Sequence, residues 1–324
     1  MSQFLSNCSA SALADAAANL LAGNLVAFPT ETVYGLGADA CNAYAVARIY
    51  SVKGRPADHP LIVHVASMDA LGDWASDVPG YAISLARDFW PGPMTLIMKR
   101  SALAGDFITG GQDTVGVRVP DHAIALGLLL SFAQIGGKGI AAPSANRFGN
   151  VSPTTAQAVA DELSEYLADT DQILDGGPCQ VGVESSIIDC TGDVPRILRP
   201  GAVTVKMIKE STGLAVVGTV NNAEIRVSGS LESHYAPLAL VALDRSPVAG
   251  QGFIAMADIA TPDGVVRLAA PKTHDEFARV LYAALRSADE QKLQTVVVLQ
   301  PQGDGIAIAI RDRLMRAAHD SLHS

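Results

Sequence analysis

Residues 25–32 read LVAFPTET, a run of four apolar residues followed by a proline and a polar cluster. The apolar run predicts a short buried strand that ends at Pro29. The same pattern recurs where the apolar residues 140–142 lead into Pro143-Ser144-Ala145-Asn146. Because α/β proteins commonly build their sites where strands run into loops, these strand exits are the first candidates for a functional site.

The rest of the first 200 or so residues alternates irregularly between predicted helices and strands. Apolar residues at helical spacing predict helices, and β-branched or alternating runs predict strands. The helices are predicted at 11–21, 43–51, 81–89 and 155–167, and strands at 61–65, 94–98, 115–119 and 172–175. This irregular order with many strand-to-loop exits predicts an α/β fold with a mixed sheet.

A different pattern begins near residue 238. The preceding stretch, Ser228 to Pro237, is rich in Ser, Gly and Pro and is typical of a linker. Strands predicted at 238–243, 252–256, 265–269 and 295–299 then alternate with helices at 274–288 and 305–318. We therefore predict a first domain at 1–205, a linker at 206–237 and a small parallel α/β domain at 238–324.

Composition supports two folded domains and excludes several protein classes. The chain has 324 residues, a net charge of −10, 49% hydrophobic and 17% charged residues, which excludes a disordered or coiled-coil chain. The acidic balance argues against broad electrostatic binding of nucleic acid. The cysteines show neither zinc-ligand nor disulfide-framework spacing. Since neither a signal peptide nor a membrane span is evident, the expected location is the cytoplasm.

Cations and hydroxyls gather at the predicted strand exits. Arginine forks and lysine charges suit phosphate or carboxylate groups, so this set predicts an anionic ligand. The alternative is that such loop cations are ordinary solvated surface. The cations are Lys53, Arg55, Arg118 and Arg199, and the polar side chains are Thr30, Thr32, Ser144, Asn146, Ser152, Ser185 and Ser186.

Other residues leave the chemistry open. His64 lies in an apolar strand, where a histidine is more often structural than catalytic. Glu31 and Glu184 could form a carboxylate pair or be ion-paired with Lys53 or Arg55. Neither a phosphate-binding glycine motif nor a nucleophile elbow is present. A reaction here would therefore depend on positioning and charge neutralisation.

The ordered motifs of the first 200 or so residues resemble the YrdC-like family, including its Lys-x-Arg and Ser-x-Asn pairs. The linker around His234-Tyr235-Ala236-Pro237 and the α/β tail resemble the two-domain form of that family. The resemblance implies a twisted mixed sheet with helices, followed by a small Rossmann-like parallel domain. The motifs are Phe28 to Leu36, Lys53-Gly54-Arg55-Pro56, Pro60 to His64, Trp90 to Thr95, Asp113 to Arg118, Ala142 to Asn146 and Gly182 to Ser186.

The resemblance also implies an activity, L-threonylcarbamoyladenylate synthesis by a nucleotidyltransferase. L-threonine and bicarbonate would form a carbamate, which attacks the α-phosphate of ATP to give threonylcarbamoyl-AMP and pyrophosphate, with Mg²⁺ shared among the phosphates. The product would serve a downstream transferase complex that modifies tRNA, with at most weak direct contact to tRNA and none to membrane. Alternatives are an RNA-binding module without catalysis and another carbamoyl-adenylate-forming enzyme.

The family pattern assigns roles to residues of this chain. It places L-threonine on Thr32, His64, Arg118, Ala142 and Ser185. Catalytic charge neutralisation falls to Lys53, Arg55 and Arg118. No metal ligand is assigned, and no site residue is expected beyond Tyr235. The residues implied for ATP are Lys53, Arg55, His59, Thr114, Ser144, Asn146, Ser152, Arg199 and Tyr235.

Overall fold

The computed structural model describes residues 9–218, 225–227, 229 and 235–318, together with the backbone of 3–5. The predicted linker residues 219–224, 228 and 230–234, including His234, lie outside the described residues. The described residues of the first part of the chain form ten strands: β1 Gln3–Leu5, β2 Val26–Phe28, β3 Gly35–Asp39, β4 Ile62–His64, β5 Met94–Lys99, β6 Thr114–Arg118, β7 Ile140–Ala141, β8 Gln172–Leu174, β9 Ser186–Asp189 and β10 Arg196–Arg199.

Helices surround these strands and continue past residue 201. They are α1 Ala10–Leu21, α2 Ala43–Lys53, α3 Leu71–Trp74, α4 Gly80–Phe89, α5 Asp106–Thr109, α6 Ala123–Gln134, α7 Ala156–Leu163 and α8 Val205–Thr212, with a 3₁₀ turn at Met68–Ala70. The second part contains β11 Leu240–Leu243, β12 Gly252–Ile254, β13 Val266–Ala269, α9 His274–Glu290, β14 Thr295–Val298 and α10 Ile306–Ala317.

The first sheet is mixed, which confirms the predicted fold class. Its strand order is β1-β8-β2-β3-β7-β4-β6-β5-β9-β10. Strand β4 runs parallel to β6, whereas β7 runs antiparallel to β3 and β4. In the β4–β6 pair, His64 lies directly beside Arg118. Two polar residues that are 54 positions apart in sequence are therefore neighbours on the sheet.

The end of α2 places the Lys-x-Arg pair. Asn42 caps the start of this helix by accepting hydrogen bonds from the backbone N–H groups of Tyr44 and Ala45. Gly54 ends it with a φ of 62°, a left-handed conformation that glycine adopts without strain. Lys53 therefore lies in the last helical turn, and Arg55 is the first residue after the reversal.

The second sheet is entirely parallel, as predicted, in the order β11-β14-β12-β13. Helix α9 buries an apolar stripe that includes Phe277, Leu281 and Leu285. The apolar cluster around this stripe also contains Val33 and Val183 of the first part of the chain. The two parts are thus packed together next to loops that follow β2 and precede β9.

The described portion of the predicted linker lies against the first sheet. Helix α8 begins at its N-terminal boundary and packs on α4, where Ser211 donates a hydrogen bond to Asp88 at 2.7 Å. Val227 packs with Ile97 and Ile187. The exact domain boundaries remain a prediction. Within the described ranges, no helix combines the length and apolar character needed to span a membrane.

Candidate active site

A cavity lies against one face of the first sheet. Ile62, His64 and Arg118 reach it from β4 and β6, and the loops after β2 and β7 and before β9 complete its wall. Gly229 and Tyr235 of the predicted linker also line it. The full lining is Thr30, Thr32, Val33, Tyr34, Gly35, Arg55, Ile62, His64, Arg118, Ala142, Pro143, Ser144, Glu184, Ser185, Arg199, Gly229 and Tyr235.

Arg118 is the central cation of this cavity. Its Nη2 donates to Glu31 Oε1 at 2.6 Å and to Thr32 Oγ1 at 2.9 Å. The side chains of Arg118 and Glu31 are each only 5% exposed. Arg118 Nε is buried and has no hydrogen-bond partner among the described residues. Because a buried guanidinium N–H is costly to leave unpaired, this atom is a donor available to an anionic ligand.

His64 is held in its neutral form. Burial, and then the positive charge of the neighbouring Arg118, lower the pKa of His64 to about 3. Its ring meets Phe28 edge to face at 6.0 Å between centroids. The buried Nδ1 has no hydrogen-bond partner among the described residues. A neutral imidazole can therefore offer one polar atom to a ligand beside Arg118.

Ser185, implied for L-threonine, is hydrogen-bonded to Arg199, implied for ATP. Its Oγ lies 2.8 Å from Thr95 Oγ1 and accepts from Arg199 Nη2 at 3.1 Å. Arg199 Nε donates to the carbonyl oxygen of Ser185 at 3.0 Å. Ser186, by contrast, turns its hydroxyl to the backbone of Val203 and does not line the cavity. The residues implied for L-threonine and for ATP thus meet at Ser185.

The two members of the Lys-x-Arg pair have different positions: one lines the cavity, and the other supports a loop behind it. Arg55 lines the cavity, and burial lowers its pKa to about 10. Lys53 Nζ is buried and donates to the carbonyl oxygens of Ser144, at 2.6 Å, and Asn146. Burial, followed by repulsion from Arg55, lowers the pKa of Lys53 well below its usual value. In this structure Lys53 anchors the turn after β7 and does not line the cavity.

Four other residues implied for ATP also lie outside the cavity lining. Asn146 donates to Arg147 and Asn150 carbonyls at 2.7 and 2.8 Å and shapes the loop after β7. The ring of His59 packs edge to face on Phe148. Thr114 lies four residues before Arg118 on β6, about 13 Å away along the strand. Ser152 contacts the cavity wall through Glu184, to which it donates at 2.6 Å.

The two glutamates have partners other than those considered from sequence. Neither Lys53 nor Arg55 is their ion-pair partner: Glu31 pairs with Arg118, and Glu184 pairs with Arg313 of α10 at 2.8 Å. Each carboxylate is committed to its own arginine. Of the two possibilities left open by the sequence, ion pairing occurs, but the partners are Arg118 and Arg313 in place of Lys53 and Arg55.

The second domain supports the cavity wall from behind, through contacts to Glu184, and no described residue after Tyr235 lines the cavity itself. Tyr282 of α9 donates to Glu184 at 2.9 Å, and Arg313 of α10 binds the same carboxylate. Tyr235 stacks on Tyr282 with ring centroids 5.7 Å apart. A sequence signal for Arg313 exists: it occupies the apolar stripe of α10 formed by Ile306, Ile310, Leu314 and Ala317. An arginine in that register indicates a buried partner.

The Glu184 carboxylate should make stability depend on pH. Burial by itself raises the pKa of Glu184, but Arg313 and Arg199 outweigh burial and lower it to about 2 from an ordinary 4.5. Because the pKa in the folded protein lies below the unfolded-state value, the charged carboxylate stabilises the fold fully above about pH 4.5. This stabilisation is lost as the pH falls from about 4.5 to 2. We expect the wild type to lose about 1 kcal/mol more than Glu184→Gln between pH 6.5 and 4.

Urea unfolding at the two pH values measures this difference. Glu210→Gln is the control, because Glu210 is exposed and lies 3.9 Å from Lys206 on the surface of α8. Its pH dependence should equal that of the wild type. Equal pH dependence in the wild type and Glu184→Gln would contradict the assignment.

The described residues contain no group of three or more His, Cys, Asp or Glu side chains placed to hold a metal ion. Glu184, which lines the cavity, and Glu31, beside the lining residue Arg118, are already engaged by arginines. The donor set of the cavity does not fit a resident divalent cation, which prefers free carboxylate and carbonyl oxygens. It fits an anion.

Comparison with known proteins agrees with this chemistry. Residues 18–201 match a family described as Telomere recombination (Sua5, YciO and YrdC), and residues 203–319 match the C-terminal domain of threonylcarbamoyl-AMP synthase. The threonylcarbamoyl-AMP synthase of Bacillus subtilis is 40% identical over 94% of this chain and 92% of its own length. That of Pyrococcus abyssi is 39% identical over 91% of each chain.

A solved structure of P. abyssi Sua5 complexed with L-threonine superposes with a TM-score of 0.87 at 36% identity. The superposition covers 98% of this chain and 97% of the P. abyssi chain. Both parts of the chain are therefore similar to those of full-length relatives. The chain belongs to the two-domain threonylcarbamoyl-AMP synthase family.

Proposed function

We propose that the cavity binds L-threonine, bicarbonate and ATP and makes L-threonylcarbamoyl-AMP and pyrophosphate. The observation that carries the proposal is the buried Arg118, whose Nε has no described hydrogen-bond partner, beside a neutral His64. A small anionic group with further polar atoms satisfies both. The likeness to a relative solved with L-threonine supports the same ligand.

L-threonine is proposed to bind with its carboxylate at Arg118. Glu31 keeps one side of the guanidinium occupied and so orients the remaining N–H groups towards the cavity. Thr32, His64 and Ser185 supply polar atoms for the amino and hydroxyl groups, with the backbone at Ala142 closing the wall. Every residue in this set lines the cavity.

ATP is proposed to bind next to L-threonine, on the side of Arg55, Arg199, Ser144 and Tyr235. The guanidinium groups of Arg55 and Arg199 are both buried, where attraction to phosphate is stronger than in water. Lys53, Asn146 and Ser152 support the loops that carry these residues. His59 and Thr114 are proposed to contact the nucleotide from outside the present lining.

The reaction follows from positioning and charge. The threonine amine attacks bicarbonate, a C–N bond forms, and water leaves to give the carbamate. A carbamate oxygen then attacks the α-phosphorus of ATP, a P–O bond forms, and the bond to pyrophosphate breaks. Arg55, Arg118 and Lys53 are proposed as the catalytic cations, of which Arg55 and Arg118 reach the cavity directly. Mg²⁺ is proposed to enter on the phosphates of ATP.

The product is proposed to pass to a transferase complex that modifies tRNA in the cytoplasm. The net charge of −10 favours a small-molecule enzyme over an RNA-binding module, because nucleic-acid affinity depends on cationic contacts to phosphates. A salt-dependent tRNA shift without product formation would favour the RNA-binding alternative. Product from an amine other than L-threonine would favour another carbamoyl-adenylate-forming enzyme.

The test of this proposal is incubation of the purified protein with Mg-ATP, L-threonine and bicarbonate, omitting each in turn. Pyrophosphate release is followed while threonylcarbamoyl-AMP is identified by mass spectrometry. The proposal requires product only when all three substrates are present. Pyrophosphate release that is independent of L-threonine would overturn it.

Ser185→Ala should raise the KM for L-threonine by about 3- to 10-fold, the effect of losing one hydrogen bond, and should raise the KM for ATP less. Ser186→Ala is the matched control, because the Ser186 hydroxyl binds the Val203 backbone away from the cavity. It should lower stability without changing either KM. Steady-state kinetics with each substrate varied would detect the opposite result, a larger effect on ATP, which would place Ser185 on the nucleotide side.

A further inference from the structure

We infer that Arg313, in the second domain, is a positioning residue for the L-threonine side of the cavity, acting on Ser185 through Glu184 and the Pro200 turn. The inference rests on the proposed function and deepens it. It assigns the second domain a direct part in shaping the site of the first domain. Arg313 itself does not line the cavity.

A single guanidinium ties together two loops of the first domain. Arg313 Nε donates to Glu184 Oε2 at 2.8 Å, and Nη2 donates to the carbonyl oxygen of Pro200 at 3.0 Å. Nη2 also lies 3.4 Å from the carbonyl oxygen of Glu184. The side chain of Arg313 is fully buried. These contacts place it behind the cavity wall, where the planar fork fixes several acceptors at once.

The two loops held by Arg313 carry adjacent cavity residues. Ser185 directly follows Glu184, and Arg199 directly precedes Pro200. Ser185 and Arg199 also bond to each other through two hydrogen bonds. Arg313 therefore holds the residue next to each member of this pair, and one of the two, Glu184, itself lines the cavity. A small shift of either loop would misplace Ser185 against its ligand.

Glu184 links Arg313 to the cavity, because its carboxylate accepts hydrogen bonds from both domains. Ser152 of the first domain donates at 2.6 Å, and Tyr282 and Arg313 of the second donate at 2.9 and 2.8 Å. Removing Arg313 would leave a buried carboxylate without its ion-pair partner, which is strongly unfavourable. Glu184 would then take up a proton or draw water into the wall.

The charged and titratable groups around Glu184 determine its response to pH. They are Arg313 of α10, Arg199 of β10, Tyr282 of α9 and Tyr235 beside the linker. Burial raises the pKa of Glu184, and Arg313 is the foremost group that lowers it. Without Arg313, the pKa of Glu184 should rise, because burial raises it and only the weaker effects of Arg199 and Ser152 still lower it. L-threonine affinity should then weaken as pH falls, whereas the wild type keeps its carboxylate charged.

The test compares Arg313→Gln with Arg316→Gln and with the double variant Arg313→Gln/Glu184→Gln. Arg313 and Arg316 lie on the same helix and both pair with Asp312, at 2.6 and 3.2 Å, but Arg316 makes no bond to the described Glu184, so its variant is the matched control. L-threonine binding is measured by calorimetry between pH 6 and 8.5, and turnover by pyrophosphate release. Thermal unfolding confirms that each variant is folded.

Arg313→Gln is expected to weaken L-threonine binding at least about 10-fold at pH 6, with partial recovery by pH 8.5, and to raise KM for L-threonine more than it lowers kcat. The double variant should lose this pH dependence, because it has no carboxylate to titrate. Arg316→Gln should behave as the wild type.

Two results would overturn the inference. One is a folded Arg313→Gln protein with wild-type L-threonine affinity at pH 6. The other is a loss of affinity that is independent of pH and unchanged in the double variant, which indicates a purely structural role. Failure of the proposed function is distinguished by the wild type, which would then form no product even where L-threonine binding is measured.

Discussion

Arg118→Met is expected to lower kcat/KM for L-threonine by about 100-fold or more, since a buried charge-assisted contact to a carboxylate is worth several kcal/mol. Methionine keeps much of the volume of the side chain and removes every donor. The ion pair with Glu31 and the hydrogen bond to Thr32 are lost together with the Nε that has no described partner. Calorimetric titration with L-threonine and steady-state kinetics measure the effect.

The stability of this variant has to be separated from its ligand affinity. A lone Glu31 would be a buried charge without a partner, and breaking such a pair costs about 3–5 kcal/mol. Arg118→Met/Glu31→Gln removes the stranded charge and should regain stability while keeping the low kcat/KM for L-threonine of the single variant. Arg196→Met is the control, because Arg196 pairs with Asp189 at 2.7 Å away from the cavity. Wild-type L-threonine affinity in the double variant would contradict the assignment of Arg118 as the residue that binds the L-threonine carboxylate.

Gly182→Ala should disrupt the contact between the two domains. A Cβ at Gly182 would lie 2.4 Å from Arg279 Cα and 2.5 Å from the carbonyl oxygen of Ala278, both backbone atoms of α9. The φ of Gly182 is +82°, which adds a cost of about 1–2 kcal/mol for any other residue. Since helix backbone cannot yield locally, we expect a further loss of at least about 2 kcal/mol as α9 is displaced.

Gly213→Ala is the matched control for this change. Gly213 has a φ of +67° and no atom within 4 Å of an added Cβ, so only the backbone cost applies. Urea unfolding, limited proteolysis near the linker and L-threonine binding compare the two variants. Gly182→Ala should be less stable, more easily cleaved and weaker in binding. If both variants lose the same stability and neither loses affinity, the close approach of α9 has no functional consequence.

Gly182 and Arg313 act on the same short loop. The loop that carries Glu184 and Ser185 approaches the backbone of α9 at one end and is held by the guanidinium of α10 at the other. Arg279 adds a hydrogen bond to the carbonyl oxygen of Gln180 at 2.9 Å. The second domain therefore supports the loop that carries Glu184 and Ser185 through backbone contacts as well as through charge.

The spacing of apolar residues along the sequence was enough to predict most of the helices and strands. Helices and strands with regular apolar spacing, such as α1, α4 and α9, lie within a few residues of their predicted bounds. Helix α6 was missed because its sequence, AIALGLLLSFAQ, is apolar around most of its surface and shows little helical periodicity. Its role is apparent only from packing: α6 packs on α1, and Leu128 and Phe132 share a buried cluster with residues of α1 and β2.

The sequence by itself determined the α/β class and the parallel second domain, and it predicted an anionic ligand, because these depend on residue type and spacing along one segment. The sheet order, and with it the adjacency of His64 and Arg118, depends on pairing between distant strands, which local spacing does not encode. Only the tertiary structure could assign Glu31 to Arg118 and Glu184 to Arg313. A buried charge needs a partner that the fold places beside it, and the sequence does not say which residue that is. For Glu184 the partner comes from the second domain.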